Sequence, residues 1–238
     1  KKLKNINHTN KIPGRYYNLW RGFDSEPIER DTVKWEDDDG NEHELDVKQE
    51  IAFVNRHYEK LFGKEEWHQI RMYIAYCIQN PGVKIRWIPL IISPEGIGKG
   101  ALLRLIANIM GQRYVNENVS FADITEKHST IVVGSLFCAL NEVSIDGGQY
   151  TTKRTVSAKI KPFISDDFLN INEKGKPIYK YLNNCNAMIF SNDENCLHID
   201  TSSRRYYVCN VKVSTQEIEK MANNDEFKRL WFVVEHFA

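Results

Sequence analysis

The chain has 238 residues, 42% of them hydrophobic and 27% charged, which supplies the core of one large domain or of one domain with a small appendage. The 32 Lys and Arg residues balance the 32 Asp and Glu residues, which excludes a global basic field, so nucleic-acid binding requires a local basic patch. The apolar runs fall short of the roughly 20 residues that span a bilayer, which argues against a membrane partner.

The cysteines indicate a reducing compartment. None of the five belongs to a C-x-x-C pair, and most lie in apolar or strand-like stretches: Cys77, Cys138, Cys185, Cys196 and Cys209. This pattern predicts reduced core thiols, and no signal peptide is visible, so we expect a cytoplasmic protein. Because the chain starts at Lys1 without a methionine and stops at Ala238 within a helical pattern, we expect it to be part of a longer polypeptide.

The first third of the chain predicts a hairpin followed by two helices. Residues 1–31 are polar and irregular apart from an aromatic cluster of Tyr16, Tyr17, Trp20 and Phe23. Alternating segments at 33–35 and 42–47 flank an acidic turn and predict a β-hairpin. Apolar stripes at helical spacing then predict two amphipathic helices, and Asn80-Pro81-Gly82 ends the second of them. We therefore expect an N-terminal extension over residues 1–47 and a small helical region over residues 48–85.

From residue 86 onwards, strand and helix signals alternate. Short apolar runs predict buried strands at 89–92, 136–140, 187–190 and 204–213, with Pro89 tolerable only as the first residue of its strand. Helices are predicted at 101–110 and about 150–161, a hairpin at 168–182, and a closing helix around Phe227, Leu230, Trp231 and Val234. This alternation predicts an α/β fold with three layers and a mostly parallel central sheet. The predicted core covers residues 86–213, and a helical segment follows over residues 214–238.

A glycine-rich loop follows the first buried strand. Residues 91–101 read IISPEGIGKGA, a partial match to the phosphate-binding pattern G-x-x-x-x-G-K-[ST] between a strand and a helix. In such a loop, backbone N–H groups and the positive helix end face the phosphates, and Lys99 would reach the β- and γ-phosphates. A surface turn can carry the same short pattern, so the rest of the chain has to decide. The candidate nucleotide-binding residues are Ser93, Pro94, Glu95, Gly96, Ile97, Gly98, Lys99, Gly100 and Ala101.

Polar side chains also stand at the ends of the other strands. Asn141 and Glu142 follow the second strand, where Glu142 would polarise the attacking water and both would help to hold magnesium. Asn192 follows the third strand, and its amide could hold that water or contact the γ-phosphate. Arg204 and Arg205 precede the fourth strand and could stabilise charge at a neighbour's γ-phosphate. Each pattern also occurs in ordinary turns and solvated surfaces.

The hairpin at 168–182 is the candidate DNA contact. Its tip carries Lys174 and Lys176, which could hold a phosphate backbone, and Tyr179 and Tyr181 on one arm could stack on bases. A charged hairpin tip is also typical of a solvated turn.

The order of these features resembles that of superfamily 3 helicases, the viral and phage replicative ATPases of the AAA+ class. More narrowly, the chain is similar to the helicase modules found C-terminal to phage primases or primase-polymerases. The resemblance includes YNLWRGF at 17–23 and YIAYCIQNPG at 73–82, and it is most specific over residues 87–205.

The resemblance implies a P-loop NTPase that uses ATP and Mg²⁺. Residues 93–100 with Lys99 would form Walker A, and Asn141 with Glu142 would form Walker B. Asn192 would be the sensor residue, and one of the two residues Arg204 and Arg205 would be an arginine finger supplied across a subunit interface.

The resemblance also implies the partners. They are single-stranded or forked DNA, further copies of the chain in a ring (a hexamer in such helicases), and an attached primase or polymerase domain. Lys174 and Lys176 would project into the channel of the ring, and Lys159 and Lys161 would support the DNA contact.

Two departures affect the metal site. Gly100 removes the hydroxyl that normally coordinates magnesium, and Asn141 stands where a carboxylate is often found. We expect these changes to loosen magnesium-nucleotide binding without abolishing it. Ser93 in place of the first glycine is a milder change, provided that the loop needs no positive φ there.

The sequence therefore predicts an ATP-dependent helicase or translocase module acting on single-stranded DNA in phage or viral genome replication, in the host cytoplasm. The alternative is a non-hydrolysing module that binds nucleotide and DNA and oligomerises in support of an attached polymerase. A phosphate-loop kinase is a third reading, for which the sequence offers no acceptor lid.

Overall fold

A computed structural model describes residues 21–23, 25, 31–36, 40–120, 123–124, 130–141, 150–200, 203–211 and 213–237. Its strands, in chain order, are β1 (Thr32–Glu36), β2 (Glu42–Asp46), β3 (Ile88–Ile92), β4 (Val115–Val119), β5 (Phe137–Leu140), β6 (Phe168–Ile171), β7 (Tyr179–Leu182), β8 (Asn186–Ser191) and β9 (Tyr206–Asn210). Its helices are α1 (Val47–Phe62), α2 (Lys64–Gln79), α3 (Lys99–Met110), α4 (Tyr150–Ser165), α5 (Thr215–Asn223) and α6 (Glu226–Phe237).

The centre of the molecule is a five-stranded sheet in the order β4-β5-β8-β3-β9. Every neighbouring pair in this sheet is parallel. The inner strands β3, β5 and β8 are buried along their whole length, as strands covered on both faces are. The predicted α/β fold with a parallel central sheet is confirmed.

Helices cover both faces of the sheet, which gives the three predicted layers. Side chains alternate between the faces along each strand. On one face, Ile91 and Phe190 pack in a core with residues of α1, α2, α3 and α6. On the other face, Leu90 and Ile189 pack with residues of α4 and β6. Because α1 and α2 share a core with the sheet, they are held against it, and the predicted domain boundaries remain a prediction.

The N-terminal part contains the predicted hairpin. β1 and β2 pair antiparallel with Val33 opposite Leu45. Asp46 caps α1 by accepting a hydrogen bond from the Gln49 backbone N–H. The aromatic residues Tyr16, Tyr17 and Trp20 lie outside the described residues, but Phe23 packs on the core that α1, α2, α3 and α6 share with the sheet.

The hairpin of β6 and β7 has an inner and an outer face. Leu169, Tyr179 and Tyr181 pack on the core below α4, and the Tyr181 hydroxyl accepts a hydrogen bond from the Gly134 backbone N–H at 2.8 Å. Phe168 and Leu182 lie opposite each other on the outer face, 46% and 43% exposed. Both tyrosine rings pack on the core and are half-buried, and their stacking on bases stays a prediction.

Three strand predictions needed correction. β4 was not predicted, because only Val115 and Val119 of its residues are buried and it lies at the edge of the sheet. β3 begins at Ile88, so Pro89 is its second residue. Pro89 is tolerated there because the ladder to β8 starts only at Leu90, which leaves no hydrogen bond for the missing N–H to make. The last strand is shorter than the predicted 204–213.

All five cysteines are buried free thiols, as predicted. In the described part of the chain, no helix is both long and apolar enough to span a bilayer.

Candidate nucleotide-binding site

The glycine loop lies at the carboxyl end of β3, the strand between β8 and β9. The chain turns through Gly96 with φ 78° and Gly98 with φ 84°, and it enters α3 at Lys99. Residues that have a Cβ rarely adopt such positive backbone φ angles, which explains why glycine stands at both positions. No side chain caps the start of α3 and its first turn has no acidic residue, so its unpaired N–H groups and positive end are available to an anion at the loop. This geometry suits a bound phosphate.

Lys99 and Asn192 meet at this edge of the sheet. β8 is the neighbour of β3, so Asn192, which follows β8, lies beside the loop. The Lys99 Nζ donates to Asn192 Oδ1 at 2.8 Å, and Asn192 Nδ2 donates to Glu95 Oε1 at 3.0 Å. We call these contacts the Glu95–Asn192–Lys99 network. It joins two predicted catalytic residues, and the partnership of Glu95 with Asn192 was not predicted.

The charge of Lys99 is tuned by its surroundings. Burial lowers the pKa of Lys99, and the nearby Glu95 carboxylate opposes that shift. A phosphate beside the ammonium would favour its charged form and offset the cost of burial. Lys99 is therefore able to bind an anion at this position.

Two loop positions depart from the phosphate-binding pattern. Ser93 does not need a positive φ, since Asp225 is the only described residue other than glycine that adopts one. Its backbone N–H donates to Ser191 O at 3.0 Å, and its buried hydroxyl has no hydrogen-bond partner among the described residues. At Gly100, an added Cβ would lie 3.6 Å from Trp231 Cζ2, an ordinary contact. The structure therefore has room for a side chain at Gly100.

The C-terminal helices cover the loop from outside. A Cβ at Gly98 would lie 3.4 Å from Phe227 Cε1 of α6, and one at Gly96 would lie 3.9 Å from Ile218 Cγ2 of α5. The apolar stripe of α6 predicted a helix, but nothing in the sequence indicated that it docks on the loop.

The predicted metal ligands are only partly described. Asn141 follows β5, about 10 Å across the sheet from β3. Its Nδ2 donates to Glu117 O at 2.9 Å, so the amide nitrogen is directed to β4. Glu142 lies outside the described residues, and its role stays a prediction. Elsewhere in the described chain, no group of three or more His, Cys, Asp or Glu residues is placed to hold a metal ion. Magnesium in nucleotide sites takes most ligands from phosphates and water, with one or two carboxylates, so the loop does not conflict with it.

The two arginines lie at the opposite edge of the sheet. The Arg205 carbonyl accepts a hydrogen bond from the Ile88 backbone N–H at the amino end of β3. At the carboxyl end of β3, the Val211 backbone N–H donates to Ile92 O, and Val211 lies six residues after Arg205. Six residues of strand span about 20 Å. Arg204 is exposed, whereas Arg205 is half-buried and its Nε donates to Ser165 Oγ at 3.3 Å. Neither arginine joins the loop within one copy of the chain.

The predicted DNA-binding lysines are distributed over two elements. Lys174 and Lys176 are exposed at the tip of the β6–β7 hairpin, and Lys176 Nζ lies 2.7 Å from Glu173 Oε1. On α4, Lys159 is exposed and Lys161 is half-buried. The base of the hairpin and the end of α4 meet near the amino edge of the sheet, where Arg86 Nη2 donates to Asp167 Oδ1 at 2.7 Å and Arg205 Nε donates to Ser165 Oγ. Any DNA contact there is separate from the glycine loop.

Part of the chain matches a protein-family model, and its fold is similar to that of solved structures. Residues 91–205 match a family of unknown function, DUF5906. Over 157 residues, the chain is 30% identical to the DNA primase-polymerase of Nitratiruptor phage NrS-1, and the match covers 60% of this chain and 21% of that protein. The matched family region begins in β3 and ends at Arg205, so it contains the Glu95–Asn192–Lys99 network and the arginine pair.

The fold is that of the C-terminal region of the NrS-1 protein. One apo structure of that region superposes with a TM-score of 0.58 at 22% identity, covering 88% of this chain and 53% of that one. A second apo form gives a TM-score of 0.56 at 21% identity, covering 90% and 54%. The chain thus spans about half of that solved region and 21% of the curated relative.

Proposed function

We propose that this chain is an ATP-hydrolysing helicase or translocase module that acts on single-stranded DNA in phage genome replication. The observation that carries the proposal is the contact between Lys99 and Asn192, 2.8 Å apart at the carboxyl ends of neighbouring parallel strands. Crevices at the carboxyl ends of parallel strands are where open α/β sheets bind their ligands.

In this proposal the loop N–H groups and Lys99 hold the phosphates of ATP, and Asn192 contacts the γ-phosphate or the attacking water. Glu142 polarises that water. Bound Mg²⁺ would neutralise charge between the β- and γ-phosphates. Glu142, Asn141 and the phosphates would hold it.

The remaining parts of the site come from a second copy. Arg204 and Arg205 lie about 20 Å along β9 from the loop, so one of them would act on the nucleotide of a neighbouring copy. A ring of copies, a hexamer by resemblance, would place the Lys174 and Lys176 hairpins around one DNA strand. The similarity to a primase-polymerase supports an attached primase or polymerase domain.

A second function is favoured by the composition of the loop. Gly100 offers no hydroxyl, and the Asn141 amide nitrogen is bonded to β4. Without Glu142 as a metal ligand, the module would bind nucleotide and DNA and oligomerise without hydrolysis, in support of an attached polymerase.

Steady-state ATP hydrolysis with magnesium, with and without single-stranded DNA, separates the two functions. We expect turnover that rises with DNA, and we expect Lys99→Ala to abolish it while the circular dichroism spectrum stays that of the folded protein. Hydrolysis that survives Lys99→Ala would contradict the assignment of the loop. No hydrolysis by an oligomeric protein that binds nucleotide would favour the non-hydrolysing module.

A further inference from the structure

Glu95 places a carboxylate in the candidate phosphate-binding loop, where it carries the same charge as the ligand. It stands between Ser93 and Gly96, and it is exposed. Its Oε1 accepts the hydrogen bond of Asn192 Nδ2 at 3.0 Å, while Lys99 Nζ contacts the other end of the same amide at 2.8 Å. The carboxylate thus holds the amide donor that the proposed function assigns to the γ-phosphate.

The Asn192 amide has an NH2 group with two N–H donors and one oxygen acceptor. In the observed arrangement, the Asn192 oxygen faces Lys99 and the nitrogen faces Glu95. A γ-phosphate oxygen that approaches this nitrogen either displaces Glu95 as acceptor or takes the second N–H, beside the bound carboxylate. It also approaches a carboxylate at close range, where two like charges repel more strongly than in bulk water.

We propose that Glu95 determines which nucleotide the site prefers, by competing with the γ-phosphate for Asn192. The inference rests on the proposed nucleotide-binding function and concerns the same site. A diphosphate places no third phosphate at Asn192, so it binds with the Glu95–Asn192–Lys99 network intact. A triphosphate binds either after Glu95 has moved away or against the repulsion between its γ-phosphate and the Glu95 carboxylate. Glu95 therefore lowers the affinity for ATP relative to ADP and links the loop conformation to the phosphate that hydrolysis removes.

The test compares a non-hydrolysable ATP analogue with ADP by isothermal titration calorimetry, using the 238-residue chain with magnesium. Glu95→Gln keeps an acceptor for Asn192 and removes the charge. We expect it to raise the affinity for the ATP analogue about tenfold and to leave that for ADP unchanged. Glu95→Ala, which removes the acceptor as well, should raise the ratio at least as much. The effect of Glu95→Gln should shrink at high salt, because salt screens exposed charges.

Glu194→Gln is the matched control. Glu194 is exposed two residues beyond Asn192, so its loss changes the net charge by the same amount near the site. We expect the ratio of the two affinities to stay at the wild-type value in this variant. An unchanged ratio in both Glu95 variants, with both nucleotides still bound, would overturn the inference and leave the proposed function standing. An equal rise for ADP and the analogue would also overturn it. Binding of neither nucleotide by any of these proteins would overturn both.

Discussion

Gly100 is the loop residue that differs most in chemistry from a phosphate-binding pattern, and its surroundings leave space for the missing group. An added Cβ would lie 3.6 Å from the Trp231 ring, and Gly100 is in the first turn of α3, next to Lys99. We predict that Gly100→Ser folds normally and binds ATP more tightly in the presence of magnesium, because the serine hydroxyl supplies a metal ligand. Titration of nucleotide at several magnesium concentrations measures the effect.

Gly98→Ser is the contrasting variant. It adds the same side chain two residues away, where φ is 84° and the Cβ would lie 3.4 Å from Phe227. We expect it to destabilise the loop and weaken nucleotide binding. If Gly100→Ser folds and leaves the magnesium dependence unchanged, Gly100 is not the cause of a weakened metal site.

Lys84 is a buried charge outside the candidate site. Its Nζ donates to the Cys185 carbonyl and lies 4.4 Å from the centre of the Phe163 ring. Burial, partly offset by nearby thiols, lowers the pKa of Lys84 to about 8. The unfolded chain holds this proton more tightly than the folded protein does. The charged form of Lys84 therefore destabilises the folded protein below pH 8. The contribution of Lys84 to the free energy of unfolding becomes more favourable between pH 8 and the usual lysine pKa.

We predict that the free energy of unfolding of the wild type, measured relative to that of Lys84→Met, increases by up to about 1 kcal/mol per pH unit as the pH rises above 8. Urea unfolding of both proteins from pH 7 to pH 9.5 measures the difference. The buried Cys209 thiol, whose pKa rises to about 12, opposes the trend above pH 9 equally in both proteins and so cancels. Burial also raises the pKa of Cys77 to about 12, but Lys84 partly offsets that shift, so the pKa of Cys77 changes with Lys84. A constant difference across this range would show that Lys84 keeps an ordinary pKa.

At the scale of elements, the β6–β7 hairpin is the part on which DNA binding depends in this account. We predict that Lys174→Ala with Lys176→Ala weakens binding of single-stranded DNA at least tenfold and reduces its salt dependence, because two phosphate contacts are lost. Nucleotide affinity should not change, since the hairpin lies away from the glycine loop. Fluorescence anisotropy of a labelled oligonucleotide at several salt concentrations measures the DNA affinity and its salt dependence.

A matched control removes the same charge elsewhere. Lys64 and Lys228 are exposed on α2 and α6, and Lys228 is paired with Asp225 as Lys176 is with Glu173. Lys64→Ala with Lys228→Ala should bind DNA like the wild type. Equal DNA affinity in both double variants would remove the hairpin from the DNA site.

The elements that sequence patterns predicted well are those whose pattern is local. Buried runs such as the residues of β5 and β8 read as strands of a covered parallel sheet, and the predicted and observed bounds differ by a residue or two. β4 was missed because its centre is polar. α5 was not predicted separately, although Ser214 and Glu217 form a capping box that marks its start.

Sequence patterns predicted which residues belong to the candidate site but not all the contacts between them. Lys99 and Asn192 each follow from a motif at a strand end, and the sheet order brings the two strand ends together. The hydrogen bond from Asn192 to Glu95 joins residues 97 positions apart. It depends on loop geometry that composition does not encode, so the contact between Glu95 and Asn192 could not be predicted from the sequence. The docking of Trp231 beside Gly100 is long-range for the same reason.

The central sheet separates two groups of residues that the proposed function brings together. The glycine loop and Asn192 lie at its carboxyl edge, whereas Arg205 lies at its amino edge, beside the end of α4. A strand cannot bend back to bring these groups together, so the proposed use of one of these arginines at the γ-phosphate would require two copies of the chain arranged head to tail. The proposed ATP hydrolysis thus requires a shared site.

Mixing two inactive variants tests this claim most directly. One is Lys99→Ala, which lacks the loop lysine, and the other is Arg204→Ala with Arg205→Ala, which lacks the arginines. We predict that each alone hydrolyses no ATP and that an equal mixture recovers about a quarter of the wild-type rate, because a quarter of randomly formed head-to-tail interfaces pair an intact loop with an intact arginine. A mixture that assembles but stays inactive, beside an active wild type, would contradict the shared site.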